Sequence, residues 1–239
     1  MFQIAFSEYL KKIFGVDVRL CTYGKPGLWS TTDLLSNVFK NWKHLESERT
    51  ISTQLTEQKL EPIDWNKIIP MYRDLHIDGY FQNYEYITPE FLSKLTLPTD
   101  SLVRHPNIAD TVFLHIRGGD YINIPSVYHG TAFLDDYYSR ALKEFPPDTK
   151  FSVFSNDLKY TNTKKFLKGV SYQFINESEV DSLYLMSQCK GGICANSTFS
   201  WWGAYLNRNR KLILPSKWFN DTSLFAEGYY FNEATILSV

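Results

Sequence analysis

Apolar positions along the chain fall into two regimes. After about residue 105 they are regular. Short apolar runs at Thr111–Ile116, Lys150–Ser155, Val170–Phe174, Gly192–Ala195 and Lys211–Pro215 alternate with helix-period segments at Ala132–Glu144, Leu158–Leu167, Glu177–Cys189 and Thr198–Asn207. Runs of that length bounded by Gly and Pro predict buried strands, and their alternation with helices predicts α/β architecture with a doubly wound parallel sheet.

The first half is less ordered. Met1 to Phe14 sets Phe2, Phe6, Tyr9 and Ile13 on one helical face, with Glu8, Lys11 and Lys12 opposite and Gly15 as the stop. Val16 to Tyr23 alternates towards a strand. Thr31 to Lys40 predicts a helix capped by Ser30 or Thr31. Leu45 to Lys59 predicts an exposed helix or loop, and Gly79 to Gln82 a strand or edge segment. Thr88-Pro89-Glu90 opens a short helix with proline near its first position. Leu97 to His105 has the composition of a linker, so two domains are expected, 1–105 and 106–239.

Composition narrows the classes. A chain of 239 residues with 44% hydrophobic content has enough apolar surface for one large or two small cores, and its net charge of −1 gives no ground for nucleic-acid binding. Cys21, Cys189 and Cys194 are an odd number without CxxC spacing, which argues against a disulfide framework or a zinc site. No apolar run reaches 18 residues, and no basic segment precedes the apolar residues at the N-terminus. Neither a transmembrane helix nor a signal peptide is expected.

The candidate chemistry lies at strand ends. His115-Ile116-Arg117-Gly118-Gly119-Asp120 follows the first strand of the regular half. Its glycines permit positive φ and close approach to a ligand, and an arginine there can hold a phosphate through two parallel hydrogen bonds. The plainer alternative is an Arg117–Asp120 ion pair that only holds the turn. Asn196-Ser197-Thr198-Phe199-Ser200 opens a helix, whose N-terminus offers free N–H groups to an anion; plain N-capping is the alternative. Ser155-Asn156-Asp157 either caps the next helix or touches ribose or base. Asp181 is either solvated helix surface or a ligand contact. Trp201 and Trp202 fit a core better than sugar stacking. Asp135-Asp136 is no D-x-D motif, and neither GxGxxG nor a P-loop is present, which counts against metal, nicotinamide cofactors and ATP.

These segments carry a resemblance. His115-Ile116-Arg117-Gly118-Gly119-Asp120-Tyr121 is similar to the H-x-R-x-G-D-Y motif of the α-1,2-fucosyltransferases, glycosyltransferase family 11. Phe151 to Asp157 resembles that family's second strand motif, with Asn156 in place of the first of two acids. Asp181 to Leu206, with Asn-Ser-Thr-Phe-Ser-Trp-Trp inside it, resembles its most distinctive stretch, and Leu212 to Phe219 and Gly79 to Gln82 resemble two more.

The resemblance implies a GT-B architecture, two Rossmann-like domains facing a cleft, with an acceptor-side domain before residue 106 and a GDP-fucose-binding domain after it. It implies inverting transfer of L-fucose from GDP-β-L-fucose to the 2-hydroxyl of a β-galactoside, without metal or other cofactor. Arg117 would hold the β-phosphate, with His115 and Asp120 shaping its loop and standing as candidates for the general base. Asn196, Ser197, Thr198 and Ser200 would bind the nucleotide, with Asp157 and Asp181 as further donor contacts. Family members begin with a strand and a glycine-rich loop leading into Met-Phe-Gln, where this chain starts at Met1-Phe2-Gln3. A silent remnant that binds GDP or a glycan, and another GDP-sugar transferase on the same frame, are the alternatives. The expected location is cytoplasmic, peripheral to a membrane in one variant of this reading, or the Golgi lumen if an anchor preceded Met1.

Overall fold

A computed structural model of the chain describes residues 1–21, 37–47, 53–56, 63–124, 131–208, 210–221 and 227–239. Two compact units emerge, Met1–Leu97 with Ser223–Tyr229, and Pro98–Thr222 with Tyr230–Val239.

The first unit opens on α1, Phe2–Phe14, ended by Gly15 in the left-handed conformation at φ 64°, as the apolar spacing and the glycine predict. Its faces differ from that prediction. Ile13 is exposed, while Glu8 is buried, accepting from the Trp42 indole N–H at 2.8 Å and from Lys94 Nζ at 2.6 Å. The two donors hold this carboxyl below its usual range against the opposing effect of burial. Phe6 anchors an aromatic cluster with Trp65 and Phe81, the Phe6 and Phe81 rings stacking at 4.2 Å.

Two short parallel pairs follow. Strand β1, Leu20–Cys21, pairs with β2, Glu46–Ser47, and β3, Thr53–Thr56, pairs with β4, Leu75–Asp78. Of the helix or loop expected at Leu45–Lys59, the described residues form strands at Glu46–Ser47 and Thr53–Thr56 and the rest lies largely outside them, and the alternating stretch at Val16–Tyr23 forms a strand only at Leu20–Cys21 among its described residues. The helix expected at Thr31–Lys40 lies mostly outside the described residues; 37–39 form a turn, and Lys40 opens a 3-10 helix. Gly79–Gln82 is not a strand. The strand ends at Asp78, and Phe81 turns back at φ 50° to bury its ring on Phe6. Helix α2, Trp65–Met71, precedes β4, and α3, Pro89–Lys94, starts as predicted, with the Thr88 hydroxyl accepting from Phe91 N–H.

The second unit begins at Pro98, eight residues before the expected start at 106. Within the predicted linker lies α4, Ser101–Arg104, tied to the unit through Arg104 and His105, which both bond Glu177. Together they hold the Glu177 carboxyl down to about 2. The remaining elements are β5, Val112–Ile116; α5, Asp120–Asn123; α6, Thr131–Lys143; β6, Lys150–Ser155; α7, Leu158–Thr161; β7, Ser171–Ile175; α8, Glu179–Gln188; β8, Gly191–Ile193; α9, Thr198–Leu206; β9, Lys211–Pro215; and β10, Thr235–Leu237. The long helix expected at Leu158–Leu167 breaks after Thr161, whose hydroxyl turns back to Ser155 and Asp157. A 3-10 turn follows at Lys165–Leu167.

Every pairing in the main sheet is parallel, in the order β7-β6-β5-β8-β9-β10. That is the strand order of the doubly wound dinucleotide-binding fold. Alternation along β5 accounts for both layers. Val112, Leu114 and Ile116 pack with Leu134, Tyr137, Tyr138 and Ala141 of α6. Thr111 and His115 face the other layer, meeting Cys189 and Phe199. Trp201 and Trp202 are buried there, so they are core side chains rather than sugar platforms.

Candidate functional site

The strand order reverses between β5 and β8, and ligands of open α/β sheets bind beyond the carboxyl ends of the strands at such a point. Register shows what meets there. Leu114 pairs with Ile193 and Ile116 with Ser155, so Arg117, Asn156 and Asn196 all follow the carboxyl ends of three adjacent strands.

Arg117 is held by contacts within its own turn. One guanidinium nitrogen donates to both oxygens of Asp120, at 2.8 and 3.1 Å, and the guanidinium lies 5.1 Å over the Tyr121 ring. Its side chain is 12% exposed and that of Asp120 50%, so the pair has a buried cation and a wet carboxylate. The Tyr121 hydroxyl reaches across the reversal and donates to the Asn196 carbonyl at 3.2 Å. Tyr121 thus ties the arginine loop to the helix-opening loop. The sequence motif contains Tyr121, but spacing alone gave no sign of this tie.

The turn itself depends on its glycines. Gly119 has φ 58° and ψ −116°, a conformation closed to ordinary L-residues, and Tyr121 N–H closes the turn on the Gly118 carbonyl at 3.2 Å. Gly118 N–H donates to Asn156 Oδ1 at 2.9 Å. A Cβ on Gly118 would come within 2.9 Å of the Asp157 Cβ, so the two loops touch at backbone distance.

His115 lies beneath the loop at 2% exposure, its ring 5.5 Å from Phe199 and its Nδ1 without a hydrogen-bond partner among the described residues. Burial first, and the Arg117 charge second, push its pKa down to about 3. It is therefore a neutral imidazole at neutral pH. The sign of the stability effect follows. The folded state refuses a proton that the unfolded chain accepts below about 6.5, so stability is full above that pH and falls as pH drops towards 3. Between pH 7.5 and 5 this one group is expected to cost about 2 kcal/mol, measurable as a lower urea midpoint, and His115→Gln should flatten that slope. An equal slope in the variant would assign the acid sensitivity elsewhere.

On the other side of the reversal, Asn196 is fully buried. Its Nδ2 donates to the Trp218 carbonyl at 2.8 Å, while Oδ1 has no hydrogen-bond partner among the described residues. Ser197 is the N-cap of α9 with no side-chain cap bond, leaving the first N–H groups of a nine-residue helix without the usual hydroxyl cover. Thr198 is half-buried at the first helical position. Ser200 turns inward, donating to the carbonyls of Ala195 and Ser197, so what it can offer a ligand is its backbone N–H.

Two predicted contacts have other work. Asp157 is the N-cap of α7, accepting from Tyr160 N–H at 2.9 Å, although it still borders Gly118. Asp181 closes a reciprocal cap at the start of α8, where Ser178 Oγ accepts from Asp181 N–H and donates to its carboxylate. Asp135 pairs with Lys164 at 2.8 Å. Among the described residues no group of three His, Cys, Asp or Glu side chains is placed to hold a metal ion, and no helix is long and apolar enough to cross a membrane.

The family model described as Glycosyl transferase family 11 matches residues 76–234. The chain is 40% identical over 122 residues to the O-antigen biosynthesis glycosyltransferase WbnK of Escherichia coli, which covers 46% of this chain and 40% of that protein. It is 33% identical over 193 residues to an Alpha-1,2-colitosyltransferase of Escherichia coli, covering 71% of this chain and 66% of the other. The chain thus spans less than two thirds of the length of these curated relatives. No solved structure matches it significantly.

Proposed function

The chain belongs to glycosyltransferase family 11, and from that membership we propose that it is an inverting transferase moving L-fucose from GDP-β-L-fucose to the 2-hydroxyl of a β-galactoside. The observation that carries the reading is the meeting, at the reversal of a dinucleotide-fold sheet, of Arg117 with the bare N-terminus of α9. A departing diphosphate needs both a cation and fixed N–H donors.

The chemistry divides simply. The acceptor hydroxyl attacks the anomeric carbon from the face opposite the diphosphate. The bond from that carbon to the phosphate oxygen breaks, and its electron pair leaves with GDP. Arg117 and the N–H groups of Thr198, Phe199 and Ser200 meet the charge that develops there. As the phosphate takes the guanidinium, Asp120 is released from its ion pair. Being half exposed, it is better placed than the buried, neutral His115 to accept the hydroxyl proton. Acceptor recognition falls to residues before 98, and no step calls for a metal.

A second reading has its own support. A relative 33% identical over 193 residues is named for colitosyl transfer, and colitose is L-fucose without its 3-hydroxyl. The decisive experiment gives the full chain GDP-fucose or GDP-colitose with lactose, in EDTA, and analyses the product linkage. An α-1,2-fucosyl product supports the first reading, and preference for GDP-colitose the second. GDP binding without transfer from either donor would leave a silent binder, and activity restored only by added Mn²⁺ would overturn the metal-free mechanism.

A further inference from the structure

We infer that Tyr121 is a positioning residue for the donor diphosphate: its ring keeps the Arg117 guanidinium aimed, and its hydroxyl holds the N-terminus of α9 at a fixed distance from that cation. The inference rests on the diphosphate reading of the site given above.

Arg117 is held in two ways, and a phosphate acts on them differently. Asp120 is bonded through a guanidinium nitrogen. A phosphate oxygen competes for the same kind of donor, so this hold is exchanged when the diphosphate binds. Tyr121 instead lies with its ring under the guanidinium, 5.1 Å from ring centroid to central carbon. A ring face attracts the charge and does not require a particular N–H, so this contact can stay while the ion pair is exchanged. Asp157 borders Gly118, and Glu179 lies within the field of Arg117. The ring contact does not depend on how many of these carboxylates share the cation.

The hydroxyl has a second task. It donates to the Asn196 carbonyl at 3.2 Å, one residue before the N-cap of α9. One side chain thus runs from the cation to the uncapped helix end, across the point where the strand order reverses. Tyr121 N–H also closes the arginine turn on the Gly118 carbonyl. A helix of four residues, as α5 is, has little stability of its own, so its place depends on ties of this kind. Tyr121 is only half-buried, and filling a core does not explain it. Donors held at a fixed spacing need no rearrangement when the leaving diphosphate gains charge.

The ring and the hydroxyl separate by substitution. Tyr121→Phe keeps the ring and loses the tie, and Tyr121→Leu loses both. Affinities of the full chain for GDP and for guanosine are measured by calorimetry, alongside melting temperatures. Losing one positioning hydrogen bond is expected to weaken GDP about fivefold in Tyr121→Phe. Losing the ring contact as well is expected to bring the loss to about twenty-five-fold in Tyr121→Leu. Guanosine carries no phosphate and should bind every variant as it binds the unaltered protein. A role in stability alone would lower the melting temperature and weaken both ligands together, which overturns the inference. So does a leucine variant with normal GDP affinity, or an equal loss in the two variants. Should the leucine variant fail to fold, Tyr121→Phe carries the test, and normal GDP affinity there overturns the proposal. If the unaltered protein binds no GDP, the diphosphate reading fails first and this inference with it.

Discussion

Arg117→Ala is expected to lower sugar transfer about 10²–10³-fold, the usual cost of removing one donor to an oxyanion. Phosphate contact and structural ion pair compete as explanations of this residue, and their magnitudes differ enough to decide. As an ion pair, Arg117 holds a carboxylate that is half in water, an arrangement worth about 1 kcal/mol or less. Its removal would shift the melting temperature by a few degrees and leave GDP binding intact. As a phosphate donor, it acts on a group that gains charge as the glycosidic bond breaks. The loss then appears in turnover as well as affinity. Arg117→Lys keeps the charge but not the fork, and it loses the planar face that lies over Tyr121, so it should also be badly impaired. The check is GDP affinity and transfer rate in a variant shown to be folded. Near-normal values for both would remove Arg117 from the site.

The second large effect is on stability. Gly192→Ala puts a methyl group 2.0 Å from the Phe113 ring, on the strand paired directly with it. Phe113 is fully buried, so its ring has no open space to swing into. The cost is expected to be about 3 kcal/mol, the upper part of the overpacking range, or a melting temperature lower by roughly 6–12 °C for a chain of this size. Calorimetry measures it, and a second substitution, Phe113→Leu, should return part of the loss. An unchanged melting temperature would mean that the ring relocates without strain.

What could be read ahead of the structure depended on how local its cause was. The strands at Val112–Ile116, Lys150–Ser155 and Lys211–Pro215 were legible because buried parallel strands are apolar on both faces and end in turn residues. The turn after β5 was legible as a turn because its glycines permit positive φ, and Gly119 adopts it at 58°. Glu8 was misplaced on the polar face because its donors, Trp42 and Lys94, are 34 and 86 residues away in sequence. Strand β10 went unseen because three residues at a sheet edge, two of them exposed, leave no period to detect. The strand order that brings Arg117, Asn156 and Asn196 to the ends of three adjacent strands is a property of strand pairing. No single segment contains it, and so Ser155-Asn156-Asp157 was read only as a helix cap, a ribose or base contact, and a departure from a motif.

The return of Ser223–Tyr229 to the first unit has a consequence for synthesis. Tyr229 packs edge-on against Phe2 at 6.4 Å and bonds Gln82, and Gly228 sits where any Cβ would strike the Gln82 carbonyl at 2.6 Å. The ribosome delivers Phe2 long before Tyr229, and all strands of the parallel sheet except β10 are made between them. The usual order, in which the N-terminal domain completes itself while the rest is still emerging, is therefore closed to this chain. Its first unit must wait, part-built, for a contact between residues 227 positions apart. Contacts of that kind slow folding and lengthen the time during which aromatic surface is open to chaperones or to aggregation.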